Sequence, residues 1–350
     1  MRQRNKIVTI ALVLLLVIVL LLAIACGAVP ISIQNMIEGT GRALRGESPA
    51  NMFEAVFIQL RLPRVLLCAL TGAILAVSGV LMQGLFRNPI VEPGLVGTSA
   101  GAAFGASLVF VLAAFIPPSI KSFTGPMLLP VAAFLGALLA TFIVYQLAHH
   151  AKRVSVMSLL LVGIAINALF LSGTGFMSYI ARDPQARSIT FWNLGTFSGA
   201  SWMQVCIVGI VGFIVFIIAV RYAKQLNALL LGEEEAGYLG VDPRRLKRRI
   251  LLLNTIMVSV ATAFVGVISF MGLIVPHVLR LLIGSDNKRL LPASMLLGAA
   301  LLVLADLCAR VLLAPAELPV GIITSLVGAP IFIILLKRFH IMEKGGGYDA

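Results

Sequence analysis

The chain has 350 residues, of which 60% are hydrophobic and only 12% are charged, and its mean hydropathy is +1.04. A soluble domain of this length cannot bury so much apolar surface, and continuous apolar runs of roughly 20 residues exclude a membrane β-barrel, whose strands alternate. The composition therefore predicts an all-α polytopic membrane protein. The formal net charge of +13 lies mostly in short loops between spans, so it predicts topology and no nucleic-acid partner.

The first apolar run, residues 7–28, follows Arg2, Arg4 and Lys6. It is longer than the apolar region of a signal peptide and has no clear cleavage site, so we interpret it as a retained span. Because basic residues favour the cytoplasmic side, the N-terminus is predicted to be cytoplasmic. Residues 29–57 are then an outside loop in which a short amphipathic helix is expected.

Further apolar stretches predict about ten spans in all, in a single transmembrane domain over residues 1–350. The second span starts near Arg61, and Gly272 and Pro276 interrupt the run that forms a short eighth span. After the first, the predicted spans are 61–86, 94–115, one ending at 148, 154–179, 201–220, 250–270, one ending at 284, 291–313 and 319–336. The segments assigned to the inside hold more than twice as many basic residues as those outside, and both termini are predicted to be cytoplasmic.

The longest polar interruption of the apolar pattern is the stretch 221–249. In it, Gly232 is followed by three acids, Glu233, Glu234 and Glu235. Acidic residues suit the positive N-terminal end of a helix, and Gly240 can end that helix in a left-handed conformation. Asp242-Pro243 then matches the N-cap and first position of the next helix. The stretch predicts a short water-facing helix between two spans, which suits the transmission of force better than chemistry.

The sequence has no phosphate-binding loop, no HExxH or GxSxG motif and no catalytic carboxylate pair, so neither an enzyme nor a cofactor is expected. The four cysteines lie in or beside apolar runs without CxxC spacing, which predicts packing and no metal site. A secondary transporter, the alternative of another class, needs ion-coupling groups inside the membrane, and these are scarce. The clearest acid is Asp306, which lies one helical turn from Arg310 and can pair with it. Energy is therefore expected to come from a partner, through the stretch 221–249.

Several strings along the chain are similar to the motifs of one family. They are RLPR at 61–64, MQGLFRNP at 82–89, EPGLVG at 92–97, FWNLG at 191–195, GYLGV at 237–241, GLIVPH at 272–277 and ELPVG at 317–321. In this order they resemble the permease subunits of ABC importers for iron chelates, haem and vitamin B12, over essentially the whole chain after the first span. The resemblance implies the type II ABC importer permease fold, with about ten transmembrane helices.

The resemblance also implies the partners: a homodimer with the passage along its two-fold axis, two copies of a separate ABC ATPase and an extracytoplasmic substrate-binding protein. The expected location is the lipid bilayer of the bacterial inner (cytoplasmic) membrane. The family's coupling helices match residues that would face the ATPase, namely Glu233, Glu234, Glu235, Gly237, Leu239 and Gly240. The alternative, a solvated loop whose arginines set topology, explains the basic residues but not the ordered glycines and glutamates.

By the same resemblance, Arg61, Arg64 and Arg310 match outer positions that receive acidic residues of the binding protein. Basic residues on the outside oppose the topology rule, and the pairing of guanidinium groups with carboxylates would give them a reason. The alternatives are anchoring at lipid headgroups and pairing with Asp306.

The cytoplasmic gates of the family match two groups of residues, Asn88 with Ile90, and Ser155 with Val156 and Met157. In cobalamin members, small hydroxyl residues are expected where this chain has Val156 and Met157. An apolar constriction can nevertheless gate by excluding water. This departure favours another cargo over cobalamin.

The outside segment 181–195, expected to be an interfacial helix, resembles the haem and iron-chelate members. Its Arg187 and Trp192 are predicted to lie at the mouth of the passage. An arginine beside aromatic rings can meet an anionic planar ligand through charge and stacking, although ordinary interfacial anchors are the alternative. The expected cargo is therefore a ferric siderophore or haem, with cobalamin as the alternative.

Overall fold

The computed structural model describes residues 2–27, 31–112, 125–150, 153–154, 156–314 and 316–345. In these ranges the chain is helical apart from loops and one two-stranded β-ladder. Seven of the described helices are long and apolar enough to cross a membrane, and three shorter apolar helices bring the number to ten. The predicted fold class, an all-α polytopic protein with about ten spans, is confirmed.

The described elements follow one another as hairpins of long helices joined by short segments. In chain order they are α1 (Arg2–Ala25), α2 (Ile33–Leu44), α3 (Met52–Ala55), a π-helical turn (Val56–Arg61), α4 (Leu62–Phe86), a 3-10 turn (Pro93–Val96), α5 (Thr98–Leu112), a 3-10 turn (Gly125–Met127), α6 (Leu128–Leu147), β1 (His149–His150), β2 (Arg153–Val154), α7 (Val156–Ile180), α8 (Gln185–Asn193), α9 (Trp202–Arg221), α10 (Ala223–Leu231), α11 (Glu233–Tyr238), α12 (Pro243–Val265), α13 (Met271–Ile283), α14 (Asn287–Val311) and α15 (Val320–Gly345). The antiparallel ladder pairs His149 with Val154 and His150 with Arg153.

Helix α4 forms the centre of the fold, whereas α1 lies at its edge. In the most apolar window of the unit Met52–Phe86, 78% of the residues are buried, against 17% in that of α1. Helix α4 packs on α14 where Gly72 faces Gly298, and a Cβ on Gly72 would overlap with the carbonyl oxygen of Gly298. Small residues at such crossings let two backbones touch, which stabilises helix pairs in lipid. Helix α1 is left to face lipid on most sides.

Helices α5 and α6 pack through a stripe of glycines that the sequence contains at four-residue spacing. A Cβ on Gly101 would overlap with the carbonyl of Gly136, and one on Gly105 with the carbonyl of Ala132. The third glycine, Gly97, has a φ of +90° and ends the 3-10 turn before α5. Because this left-handed residue separates the turn from the helix, span three begins at Thr98 and the predicted start at 94 is wrong.

The predicted start of span two is also wrong. The span begins at Met52, nine residues before Arg61, because a π-helical turn carries the helix through Arg61 without a break. This turn lies just before Pro63, and π-helical turns commonly absorb such local mismatches in backbone hydrogen bonding.

Span seven runs from Pro243 to Val265, so both of its predicted limits, 250 and 270, are wrong. Its early start follows from the N-cap that precedes it, which keeps the charged first turns helical. Its early end follows from a break over residues 266–270, which opens with Gly266 at φ +78° and closes with Phe270 at φ +69°. The break therefore lies before α13 and not at Gly272 or Pro276.

Helix α13 keeps Pro276 in its interior. Proline has no N–H, so the carbonyl of Gly272, four residues earlier, loses its helical partner. The side-chain amide of Gln83 on α4 donates to this carbonyl at 3.3 Å and to that of Leu273 at 3.1 Å. The amide oxygen of Gln83 accepts from Arg280 Nε at 3.3 Å. Helix α4 thus supplies the hydrogen bond that the proline removes, and α13 continues past it.

Candidate functional site

A short helix, α11, lies in the polar stretch between spans, as the sequence predicts. It covers only Glu233–Tyr238 and lies between two glycines with positive φ, Gly232 at +145° and Gly240 at +79°. The three glutamates occupy its first turn, where the helix dipole favours negative charge. Glycines at both ends let the chain change direction sharply, so α11 projects as a separate element between α10 and α12.

The helix after α11 has the predicted N-cap. Asp242 Oδ1 accepts from the backbone N–H of Arg245 at 3.1 Å and of Arg244 at 2.9 Å. The hydrogen bond from the Arg245 amide, with that from Arg244, lowers the pKa of the Asp242 carboxyl. The cap stays charged at neutral pH and fixes where α12 begins.

The glutamates of α11 are not equivalent. Glu233 Oε1 lies 2.7 Å from Nζ of Lys247, whose side chain is only 4% exposed. A charge-assisted hydrogen bond to a buried lysine is strong, so Glu233 fixes α11 onto α12. Glu234 and Glu235 are exposed to solvent and remain accessible to a partner. The lysine was not among the residues predicted from sequence, because its burial arises only from tertiary packing.

Large apolar side chains surround the two accessible acids. Leu231, Tyr238 and Leu239 are 68%, 89% and 63% exposed. A Cβ on Gly237 or Gly240 would meet no atom within 4 Å, so this side of α11 is open. Exposed apolar groups interspersed with charges in a polar segment mark an interaction surface. We call this surface the coupling surface; it is formed by the side chains of Leu231, Glu234, Glu235, Tyr238 and Leu239.

The segment between α4 and α5 holds the first predicted gate. Helix α4 ends at Phe86, and Arg87 has a φ of +51°, so the chain turns sharply there. The side-chain oxygen of Asn88 accepts from the N–H of Ile90 at 3.1 Å, which forms an Asx turn. Ile90 lies at the tip of this turn and is 40% exposed. We name residues 88–96 the gate segment.

The inner part of the gate segment is held by α7 and α12. The Leu95 carbonyl accepts from Asn167 Nδ2 at 3.1 Å, and the Pro93 carbonyl accepts from Asn254 Nδ2 at 3.2 Å. A Cβ on Gly163 would overlap with the Leu95 carbonyl, so the segment lies directly on α7. The segment that holds the first predicted gate therefore packs on α7, and the second predicted gate lies at the start of that helix.

The second predicted gate lies at the start of α7. Ser155 is outside the described residues, Val156 is half-buried and Met157 is 64% exposed. Methionine is flexible and apolar, so it adapts to a variable gap. Met157 and Ile90 are exposed apolar groups at the end of the fold where α4 stops and α7 starts, which suits a constriction that excludes water.

Glu92 is the acid of the gate segment, and it holds the start of α13. Its Oε1 accepts from the backbone N–H of Phe270 at 3.0 Å. Burial raises the pKa of the Glu92 carboxyl, and the hydrogen bond from Phe270 partly opposes this. In the sequence Glu92 appears only within a motif string. Its partner is 178 residues away, so spacing gave no signal for this contact.

The three predicted outer arginines lie together, at the opposite end of the fold from α11. Arg64 Nη2 lies 2.9 Å from Asp306, and its Nη1 lies 2.8 Å from Glu317. Arg310 Nε lies 3.0 Å from the same Asp306, so the pair expected from their spacing is confirmed. Asp306 is thus shared between two guanidinium groups.

Arg61 and Arg310 close the C-terminal end of α1. They donate over 2.8 to 3.4 Å to the carbonyl oxygens of Ala23, Ile24, Ala25 and Cys26. Guanidinium groups at a helix C-terminus satisfy unpaired carbonyls and complement the helix dipole. Arg61 is 6% and Arg310 is 8% exposed. Arg64 and Arg310 pair with Asp306, as the alternative named from sequence has it, whereas Arg61 binds carbonyl oxygens of α1, and docking of a binding protein stays a prediction.

Helix α8 presents Arg187 and Phe191 together on its surface. The guanidinium carbon of Arg187 lies 5.6 Å from the ring centroid of Phe191. Trp192, in contrast, is 7% exposed and packs among alanines of α5 and α6. A buried ring cannot stack on a cargo at the surface, so the prediction that Trp192 lies at the mouth of the passage is wrong, and of the two neighbouring rings Phe191 is the one beside Arg187.

Within the described residues, no three side chains of His, Cys, Asp or Glu lie close enough to hold a metal ion. The ten candidate spans and the exposed short helix between two of them describe a multi-pass membrane protein. The chain belongs to the FecCD transport family, which matches residues 15–338. It is the permease subunit of an ABC importer, whose ATP hydrolysis resides in a separate ATPase, so the secondary-transporter alternative is wrong.

The chain is similar to permeases named for different cargoes. It is 42% identical to the hemin transport system permease protein HmuU of Yersinia pestis, over 87% of this chain and 90% of that protein. It is 40% identical to the vitamin B12 import system permease protein BtuC of Vibrio parahaemolyticus, over 82% and 84%. A solved structure described as an inward-facing conformation of a metal-chelate type ABC transporter is 31% identical. It has a TM-score of 0.80 and covers 95% of this chain and 99% of that one.

Proposed function

We propose that the chain imports chelated iron, as haem or a ferric siderophore, and works as one half of a homodimer in a bacterial cytoplasmic membrane. Both termini are cytoplasmic in this proposal. Two ATPase subunits bind the coupling surface, and an extracytoplasmic binding protein delivers cargo to the opposite face. The observation that carries the proposal is the coupling surface itself, in which Tyr238 is 89% exposed beside two accessible glutamates.

Contact at the coupling surface explains how energy reaches the membrane. Helix α11 lies between glycines, and its Glu233 is bonded to Lys247 of α12. A subunit that binds Tyr238 and displaces α11 therefore also displaces α12, which crosses the membrane. Apolar side chains supply the binding area, and the two free carboxylates supply electrostatic complementarity to a basic partner.

The test reverses the charge of the accessible acids only. We expect the double substitution Glu234→Lys and Glu235→Lys to reduce co-purification with the ATPase and ATP-driven uptake at least about tenfold. Glu233 is left unchanged because its loss would disturb Lys247 and the fold. The matched control is Glu47→Lys, an exposed acid on the opposite face. Undiminished uptake by the double variant would contradict the coupling role.

Haem or another anionic iron chelate is favoured by the exposed Arg187–Phe191 pair. A guanidinium beside an aromatic face offers both charge and stacking to a planar anion. The half-buried Val156 and exposed Met157 give an apolar gate, which differs from the hydroxyl residues expected for cobalamin. Similarity to a hemin permease at 42% identity agrees with this choice, although vitamin B12 permeases at 40% keep cobalamin as the second candidate.

Uptake into proteoliposomes with the cognate binding protein distinguishes the cargoes. We expect haem or a ferric siderophore to be transported and cobalamin not. Arg187→Ala should raise the KM for the chelate roughly 3- to 10-fold, the value of one partly exposed cation–π contact. The control is Arg182→Ala, another exposed arginine of the same segment. If only cobalamin were transported, the cargo would be cobalamin and the proposed iron chelate would be wrong.

On the opposite face, we propose that Arg64 receives a carboxylate of the binding protein, with Arg61 and Arg310 behind it. Glu317, which pairs with Arg64, is 43% exposed. The Arg64 side chain is only 12% exposed but also pairs with Asp306, so it keeps one carboxylate partner while an incoming carboxylate takes the place of Glu317. Glu317→Gln should then strengthen binding-protein docking in a pull-down titration, whereas Arg64→Gln should weaken it.

A further inference from the structure

Helix α2 carries a row of apolar side chains that the described part of the chain leaves exposed. Ile33, Ile37 and Leu44 are 74%, 68% and 85% exposed. Residues separated by four and seven positions lie on one face of a helix, so the three side chains form one line. Gln34 and Glu38 are exposed on a neighbouring face, where they bond to each other at 2.9 Å. We call the side chains of Ile33, Ile37 and Leu44 the α2 stripe.

Another side of α2 packs on the beginning of the unit Met52–Phe86, which is the part of that unit farthest from the bilayer. Asn51 Nδ2 lies 3.5 Å from Asn35 Oδ1. Arg42 Nη2 donates to Glu54 at 3.3 Å, and the Glu54 side chain is fully buried. A charge-assisted hydrogen bond to a buried carboxylate is strong, so this pair fixes how α2 is rotated about its own axis.

Gly39 is the next residue around the helix from Arg42, and it contacts the span at a deeper level. A Cβ on Gly39 would lie 3.2 Å from the Glu54 side chain and 3.7 Å from the ring of Phe57. Phe57 is three residues further along the span than Glu54, which places it about 4 to 5 Å nearer the bilayer. Rotation from Arg42 past Gly39 therefore leads toward the membrane, and further rotation in the same sense reaches the α2 stripe. The stripe faces the membrane, and the polar face with Glu38 faces water.

An exposed tryptophan marks the level of the membrane surface beside α2. Trp202 begins α9, is 41% exposed and donates from its indole nitrogen to the Ile58 carbonyl at 2.9 Å. Tryptophan side chains favour the membrane–water interface. Because Ile58 follows Phe57 directly, α2 packs on the span at this level. Leu60, two residues deeper on the same π-helical turn, is 61% exposed and apolar, as expected of a side chain that meets lipid.

We propose that α2 is an interfacial anchor whose stripe inserts into the lipid leaflet at this face, the outer leaflet in the orientation proposed above. An amphipathic helix of this kind buries its apolar face about 5–10 Å into the boundary between headgroups and acyl chains. Through Arg42 and the buried Glu54, the lipid then holds the beginning of the central span in place. A binding protein that approaches from the water would meet the polar face and not the stripe.

The first experiment measures the depth of single sites on α2 and needs neither the ATPase nor a cargo. The full chain, with its native cysteines replaced by serine, is reconstituted in vesicles of phosphatidylethanolamine and phosphatidylglycerol. An environment-sensitive fluorophore is attached at Ile37→Cys, and the matched control is Gln34→Cys on the polar face. We expect lipids with a nitroxide close to the headgroup to quench the fluorophore at position 37 at least about threefold more than at position 34, and aqueous iodide to show the reverse order.

Three results would overturn the lipid anchor. Strong quenching by iodide at position 37 would place the stripe in water. Protection from both quenchers would show that a second copy or another protein segment covers it. Loss of iodide quenching at position 37 on addition of the cognate binding protein would assign the stripe to that protein. Each of these results leaves the proposed importer function standing, because the anchor depends on neither cargo nor ATPase.

The second experiment places one charge on each face while the fluorophore stays at position 37. Ile33→Asp puts a short charged side chain into the stripe, where it cannot reach water while the helix stays inserted. We expect quenching by the nitroxide lipid to fall at least about twofold, because a charge in lipid is costly. Gln34→Asp adds the same charge on the polar face and should keep the parent signal. Equal signals from the two variants would overturn the proposal, because the face that carries the charge would then not matter.

Discussion

Asp306 is the acid on which the outer ion pairs converge. Its side chain is 2% exposed and lies within 3.0 Å of both Arg64 and Arg310. We expect Asp306→Asn to lower the free energy of unfolding by about 3 kcal/mol, because two guanidinium groups lose their shared carboxylate in a poorly hydrated site. Unfolding by denaturant in detergent measures the loss.

The control for Asp306 is Glu317→Gln, which removes the exposed acid from the same cluster. Because Glu317 is 43% exposed and Arg64 keeps its ion pair with Asp306, removal of Glu317 should cost only about 1 kcal/mol. Equal losses in the two variants would show that burial does not govern these pairs.

Residues show clearly which contacts a sequence can predict. Asp306 and Arg310 are four apart on one helix, so their spacing alone predicted the pair. Arg64 also bonds Asp306, but the two are 242 residues apart, so the sequence could offer this pair only as an alternative, with no spacing to support it. The burial of Lys247 could not be predicted for the same reason, because it depends on packing between elements. It also led to Trp192 being assigned to the surface, since aromatic residues favour both interfaces and cores.

At the scale of elements, the glycine crossing of α4 and α14 brings two backbones into direct contact from both sides. We expect Gly72→Ala to destabilise the fold by roughly 1–3 kcal/mol, because the added methyl group meets the Gly298 backbone, which cannot move without shifting α14. Thermal unfolding in detergent would measure this. Gly175→Ala in α7 is the matched control. A Cβ there meets no atom within 4 Å, so the better helix propensity of alanine should leave stability equal or slightly higher.

Long apolar runs and end signals predicted most elements. The number of spans followed from hydropathy, and α11 with its flanking glycines and the Asp242 cap followed from local chemistry. Breaks within apolar runs were harder to place. Gly272 and Pro276 are strong breakers in isolation, yet both lie inside α13, because α4 compensates for the proline and the chain turns at residues 266–270 instead.

For the whole molecule, the proposed orientation places the loop after α2 outside and the loop before α14 inside. Ser48 and Ser285 are exposed serines in these two loops. In a cysteine-free background, we expect an impermeant maleimide to label Ser48→Cys on intact spheroplasts and Ser285→Cys only after permeabilisation. The reverse pattern would invert the topology and place α11 on the outside, away from any ATPase.

The motif strings and their order along the chain resemble those of one family, and this resemblance was enough to predict the permease class. The cargo is different. In the proposed homodimer, the cargo is selected by side chains of both subunits around the passage, and one chain supplies only part of that surface. This is why exposed groups such as Arg187 and Met157 support a choice of cargo without fixing it.

The side-chain amide of Gln83 donates a hydrogen bond to the Gly272 carbonyl, which lacks a helical partner only because residue 276 is proline. These two positions are therefore epistatic. Gln83→Met alone should leave the Gly272 oxygen without a hydrogen bond. In a Pro276→Ala background the alanine N–H can reach that oxygen, so Gln83→Met should cost less stability. A double-mutant cycle should give an interaction energy of about 1 kcal/mol. A lineage that lost the proline would be free to lose the glutamine as well.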